Sequence, residues 1–186
     1  MVATKTERIG HFLMISIRKE AVFHVKNHKH YPEFEGFARK VLSDESTFNA
    51  FKEITSWPGY NMTPLIDMEK SAKFLNIGSL FYKDEGYRFE LASFKALGGA
   101  YAVLKTLQQK LQPRGINATT SDFLSRKFHD LTEEETVVCA TDGNHGRSVA
   151  WGAKMFGCKC RIYLHENVSQ DRENAISSFG AQIIRK

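Results

Sequence analysis

The chain has 186 residues, 42% of them hydrophobic and 25% charged, with a formal net charge of +5. That is the profile of a soluble globular chain long enough to bury one substantial core, and no apolar run approaches the length that crosses a bilayer. The 21 acidic residues are scattered among 26 basic ones, so no continuous phosphate-tracking surface is expected and nucleic acid is not expected as a partner.

The opening MVATKTERIGHFLMISIRKE has too short and too interrupted an apolar stretch for a signal peptide, which makes a cytoplasmic protein without a membrane partner the expectation. The first fifty residues carry no pattern that assigns an element. His24, His28 and His30, in HVKNHKHYPEF, read as solvated histidines rather than as a metal cluster. Cys139, Cys158 and Cys160 are odd in number, and a single residue between the last two is too tight for the usual zinc spacing. Reduced, mostly buried thiols and no metal are expected.

In chain order, SLFYKDE (79–85) has strand character. SFKALGGAYAVLKTLQQK (93–110) reads as a helix with Ser93 placed to cap its first turn, which puts Lys95 near a helix N-terminus. The polar stretch 112–135 is expected to mix loop with a short helix. From Thr136 the pattern becomes regular: TVVCAT as strand, NHGRSVAWGAKMF as helix, CRIYL as strand, SQDRENAISSF as helix and QII as strand. Gly157 and Gly180 each follow a helix, where a left-handed C-terminal cap would sit. Two successive β-α units argue for an α/β fold with a parallel sheet covered by helices. The sequence stops six residues after Gly180, so the last strand lacks a following helix and the chain reads as cut short.

Two segments carry chemistry. The first, RFELASFKALGGAYAV (88–103), sets a lysine at a helix start, with Gly98 and Gly99 permitting close approach of another backbone or of a ligand. It is also compatible with a surface lysine on an amphipathic helix. The second, TDGNHGRSVAWGA (141–153), is a strand-to-helix turn, where open parallel sheets bind anionic groups. Its alternative is that Gly143 and Gly146 serve the turn and Asn144 merely caps the helix. Asp142 would repel a carboxylate unless set to one side, as a proton acceptor would be. No G-x-G-x-x-G follows any strand, which speaks against a dinucleotide site.

In this order and about fifty residues apart, the two segments resemble the N-terminal signatures of the fold type II pyridoxal-phosphate (PLP) enzymes, the tryptophan synthase β/threonine dehydratase-like family. Those signatures are Ser-Phe-Lys followed by a Ser-x-Gly-Asn-His-like loop; other members mostly carry a small residue where this chain has Asp142. The variant TDGNHGRSVAW, with WPGYNMTPL (57–65) and YKDEGYRF (82–89), is similar to the diaminopropionate ammonia-lyase branch in particular. The resemblance covers roughly residues 50 to 186.

It implies open, twisted parallel sheets with flanking helices, with the second half of the large domain missing. Residues 1–110 would be the N-terminal segment and cofactor-lysine region of the large domain, and 111–186 the start of a small β-α-β domain. Lys95 would carry pyridoxal 5'-phosphate and move the proton at the substrate Cα. Phe94 would pack against the cofactor ring, and Asn144 would hydrogen-bond its phenolic oxygen. Thr141, Asp142, Gly143 and His145 would meet the substrate, with Asp142 as a second base for the D isomer. The implied reaction is α,β-elimination of ammonia from 2,3-diaminopropionate, in a cytoplasmic homodimer. The phosphate-wrapping glycine loop of such enzymes is not in this sequence, so activity of the chain by itself is doubtful on this reading. The competing readings are a threonine or serine dehydratase-like eliminase and a non-catalytic remnant.

Overall fold

The computed structural model describes residues 42–186, residue 36 and the backbone of two N-terminal strands, β1 (Lys5–Ile9) and β2 (Phe12–Ser16), which pair as an antiparallel hairpin. His24, His28 and His30 lie outside the described residues. The chain divides into two compact units, residues 1–46 with 67–81, and residues 47–66 with 82–186. The second contains both chemistry-bearing segments.

Helix α1 (Asp44–Thr55) opens with Asp44 and Glu45, acids where the helix dipole favours them, and Ser43 Oγ accepts the Ser46 N–H at 3.1 Å. Beyond it, strands β3 (Leu65–Asp67) and β4 (Phe81–Lys83) form a two-stranded ribbon flanking α2 (Glu69–Phe74). Only three residues of the strand expected over 79–85 adopt it. A 3-10 stretch over Glu85–Glu90 follows, because Asp84 folds back on the Gly86 N–H at 3.0 Å and caps a helical turn there.

The segments 57–65 and 82–89 on either side of the ribbon are tied together by hydrogen bonds around a part-buried ion pair, Arg88–Glu85, within the second. Arg88 donates from Nε to Glu85 Oε2 at 2.8 Å, from Nη2 to Thr63 Oγ1 at 3.0 Å and from Nη1 to the Asn61 carbonyl at 3.1 Å. Thr63 in turn donates to Glu85 Oε1 at 2.6 Å. Bonding to Arg88 holds the Glu85 carboxyl below its usual range. Every charge in this cluster is paired and bonded, which is what makes its burial tolerable.

Helix α3 (Lys95–Leu111) buries Ala96, Gly99, Ala100, Val103, Leu104, Leu107 and Leu111, the i, i+3/i+4 stripe its sequence prescribes. The polar stretch contains two short helices, α4 (Thr120–Leu124) and α5 (His129–Thr132). Thr119 and Asp122 form a capping box on α4, and the bonds from Thr119 and Lys127 hold the Asp122 carboxyl at about 2.

Strands β5 (Thr136–Ala140), β6 (Lys159–Leu164) and β7 (Gln182–Arg185) make a parallel sheet in the order β5-β6-β7. Helices α6 (Asn144–Phe156) and α7 (Gln170–Ser177) are the crossovers, as the β-α pattern requires. Cys160, Ile162 and Leu164 alternate into the core, where they join Val149, Ala153 and Phe156 of α6 and Ile176 of α7. Gly157 and Gly180 adopt the left-handed conformation expected of them, at φ +83° and +86°. Of the thiols, Cys160 is buried and Cys139 and Cys158 are half-buried; burial pushes Cys158 up to about 11 and Cys160 up to about 12.

The tightest helix contact in this unit joins α3 and α6. A Cβ on Gly99 would lie 2.3 Å from Ser148 Oγ, and one on Gly152 would lie 2.7 Å from Ala100 Cα. Small residues on both helices let the backbones approach at these two points. Gly98, next to Gly99, has nothing within 4 Å of its Cβ position. Gly152→Ala should therefore destabilise the chain by about 1–3 kcal/mol through overpacking against backbone. Gly98→Ala should instead stabilise by about 0.5–1 kcal/mol, the helix-interior preference for alanine. Urea unfolding of the two variants measures the contrast, and equal midpoints would contradict the packing described.

Candidate active site

The loop at the sheet's edge is built by Thr141. Its N–H continues the ladder past β5 by donating to the Tyr163 carbonyl at 3.0 Å. Its hydroxyl then turns beneath the next helix and accepts the Gly143 N–H at 3.2 Å and the Gly146 N–H at 3.1 Å. This close return needs glycine at 146, where a Cβ would come within 2.3 Å of Thr141 Cγ2. The helix is thus capped by the side chain two residues before its N-cap Gly143, and Asn144 is not the cap. The Asn144 amide, the Asp142 carboxylate and the N–H groups of Asp142, Asn144 and His145 have no hydrogen-bond partner among the described residues.

Lys95 is delivered by a loop in an unusual conformation. Phe89 and Ala92 take positive φ, +48° and +52°, which side-chain-bearing residues adopt at a cost. Phe89 is sunk among Trp57, Tyr60 and Trp151, with ring centroids 5.9, 6.0 and 4.9 Å away, and Leu91 is buried beside it. Ser93 Oγ accepts the Lys95 N–H at 3.2 Å, so the expected capping serine bonds the first helical residue.

These two loops meet. Lys95, Thr141, Asp142, Gly143 and Asn144 line one cavity of about 280 Å³, together with Arg172 of α7. Phe94, 63% exposed, and His145, also exposed, are not among its lining residues. Arg172 is the residue that sequence reading did not single out. Its Nη1 donates to the Asp142 carbonyl at 3.4 Å and its Cδ lies 3.6 Å from the Gly143 Cβ position. It reaches the cavity from a helix some thirty residues downstream. Only the parallel pairing of β5 with β6 brings α7 there, so no local pattern marks it.

The family model described as pyridoxal-phosphate dependent enzyme matches residues 56–186. The chain belongs to this family. Diaminopropionate ammonia-lyase of Salmonella typhimurium is 38% identical over 125 residues, covering 67% of this chain and 31% of that enzyme. A probable D-serine dehydratase of Lactiplantibacillus plantarum is 26% identical over 144 residues, 72% of this chain and 33% of that one. Among solved structures, Escherichia coli diaminopropionate ammonia lyase in complex with D-serine superposes with a TM-score of 0.69 at 32% identity, over 77% of this chain and 36% of that chain. A pyridoxal 5'-phosphate-dependent aspartate racemase, with a TM-score of 0.57 at 20% identity, shares the fold. The chain spans about a third of the length of these relatives.

The cofactor of this family is pyridoxal phosphate, and the cavity suits it. Among the described residues it offers one lysine amine without a partner, a second cation in Arg172, unpaired backbone donors and an unpaired amide at a helix start. A volume near the lower end of small-molecule sites, roughly 300–1,000 Å³, is in keeping with that use.

Thr141→Val keeps the shape of the side chain and its methyl contact with Gly146 but removes the acceptor for two N–H groups. It should cost about 0.5–2 kcal/mol, the worth of a helix cap, while Thr141→Ser restores most of it. Thermal unfolding of the pair decides; a valine variant as stable as wild type would mean that the hydroxyl is not the cap.

Proposed function

We propose that this chain forms the cofactor-lysine part of a PLP-dependent lyase that eliminates ammonia from 2,3-diaminopropionate. The overall reaction is diaminopropionate plus water giving pyruvate and two ammonia. The observation that carries the proposal is the shared cavity of Lys95 and the Thr141–Asn144 loop, two segments held about fifty residues apart in sequence. Pyridoxal phosphate, when bound, supplies the electron sink that makes the substrate Cα–H acidic.

The chain's own residues do the rest. Lys95 Nζ would hold the cofactor and would carry the proton at the substrate Cα. By the family resemblance Phe94, which is exposed beside the cavity and does not line it, would pack against the cofactor ring, and Asn144, which does line it, would bond the ring's phenolic oxygen. The Thr141 hydroxyl, whose oxygen already accepts two N–H bonds, keeps its own hydrogen for the substrate carboxylate, aided by the backbone donors of the loop through His145. Gly143 keeps that approach open. Asp142 takes the Cα proton from the D isomer while Lys95 serves the L isomer. By the same resemblance the working enzyme is read as a cytoplasmic homodimer.

A second reading, loss of a β-hydroxyl rather than a β-amine, has in its favour the identity to the probable D-serine dehydratase. Asp142→Ala separates the readings: it should lower turnover of D-diaminopropionate by about 100-fold or more while sparing the L isomer. Equal retention of both isomers would remove Asp142 from the mechanism. The assignment of Lys95 is tested by mixing the chain with pyridoxal phosphate, reducing with borohydride and mapping the adduct by peptide mass spectrometry. Label concentrated on Lys95 is expected; label spread over surface lysines would refute it.

A further inference from the structure

Two consecutive residues of α6 leave their own helix to hold the backbone that presents Lys95. Ser148, 1% exposed, donates its hydroxyl to the Lys95 carbonyl at 2.6 Å. A serine in a helix ordinarily returns that hydrogen to a carbonyl one turn back in its own helix. Here it bridges to α3 instead, and Gly99 is what makes room for it. Arg147 donates from Nη1 to the Leu91 carbonyl at 3.1 Å, at the other end of the loop that contains the positive-φ residue Ala92. Its Nε is buried with no partner among the described residues, a desolvation penalty that the placement of this guanidinium accepts.

We propose that Arg147 and Ser148 are positioning residues for the cofactor lysine, clamping Leu91 and Lys95 so that the first turn of α6 sets where the Lys95 side chain begins. This rests on the reading of Lys95 as the cofactor lysine. The device works because the anion-binding loop and the clamp are successive turns of one helix: Asn144 starts it, and Arg147 and Ser148 follow within four residues. A strained loop with no such ties would relax Ala92 toward negative φ and move Lys95 relative to Thr141 and Asp142. Ser93 bonds the Lys95 N–H and Ser148 its carbonyl, so both backbone polar groups of Lys95 have a side-chain partner outside the regular helix ladder.

The test uses the 186-residue chain and three variants, Ser148→Ala, Arg147→Met and the conservative Arg147→Lys, with Gln109→Ala, exposed at the far end of α3, as a surface control. Hydrogen exchange by mass spectrometry reads the clamp without any cofactor. Amides in the segment 88–97 should exchange roughly tenfold faster in Ser148→Ala and in Arg147→Met, while the β5 and β6 segments stay at wild-type rates. Arg147→Lys, which keeps a donor and the charge, should return toward wild type. Unchanged exchange in 88–97 would overturn the proposal. So would an increase shared equally by the strands, since the pair would then stabilise the fold without positioning the lysine. Borohydride labelling with pyridoxal phosphate supplies the second readout: the share of label on Lys95 should fall in the two disruptive variants. If the wild-type chain does not label at Lys95, the functional reading fails, and the exchange result still decides on the clamp.

Discussion

The contact on which the rest of this structure depends is the close approach of α3 and α6. Gly99 faces Ser148, and Ala100 faces Gly152, at separations that leave no room for a Cβ on either glycine. The contacts advance together along both helices, so the two helices start at the same end and their first turns share one cavity. Two helix N-termini, each with a partial positive charge, therefore converge on it; the first N–H groups of α3 are taken up by Ser93 and Phe94, whereas those of Asn144 and His145 at the start of α6 have no partner among the described residues. That convergence favours negative charge in the cavity, in keeping with the proposed cofactor site.

The packing by itself would leave Lys95 on a loose loop, and the buried braces upstream prevent that. Arg88, Glu85 and Thr63 lock the segment before the loop, and Phe89 pins it into the aromatic cluster of Trp57, Tyr60 and Trp151. These are costly features: a buried ionic cluster, two positive-φ residues and the Trp57 indole N–H, buried without a partner among the described residues. Such costs concentrate around a position that must be held, and here they lie within ten residues before Lys95 or pack on residues that do.

Much of this was legible in the sequence, for reasons that differ by element. The β-α-β-α-β run from Thr136 was readable because its apolar runs, its helix-length segments and its glycine stops repeat twice, and each signal is local. Lys95 and the Thr141–Asn144 loop were readable as motifs, and the structure brings them to one cavity. The cap was not: Asn144 stands where a capping residue usually stands, but Thr141, the residue that ends the strand, takes the role because Gly146 lets it come underneath. The ribbon strand shrank to Phe81–Lys83 because Asp84 captures the Gly86 N–H and ends the extended run. Arg172, Arg147 and Ser148 escaped notice for one common reason. Each acts through a partner between thirty and fifty-six residues away, and no period or spacing in the chain encodes such a distance.

The placement of Arg172 also resolves the difficulty that Asp142 posed. An acid in a loop proposed to take an anion looks self-defeating, since it would repel a carboxylate placed at the helix start. Arg172 offsets it with a second cation beside Lys95, so the cavity carries two basic groups and one acid. Yet its guanidinium bonds the Asp142 backbone carbonyl, not the carboxylate. Had the arginine paired with the carboxylate directly, the acid would be tied in a salt bridge and its oxygens occupied. Held by its carbonyl instead, the loop is tied to α7 while the carboxylate keeps both oxygens without a partner among the described residues, which is the condition a proton acceptor at this position would have to meet.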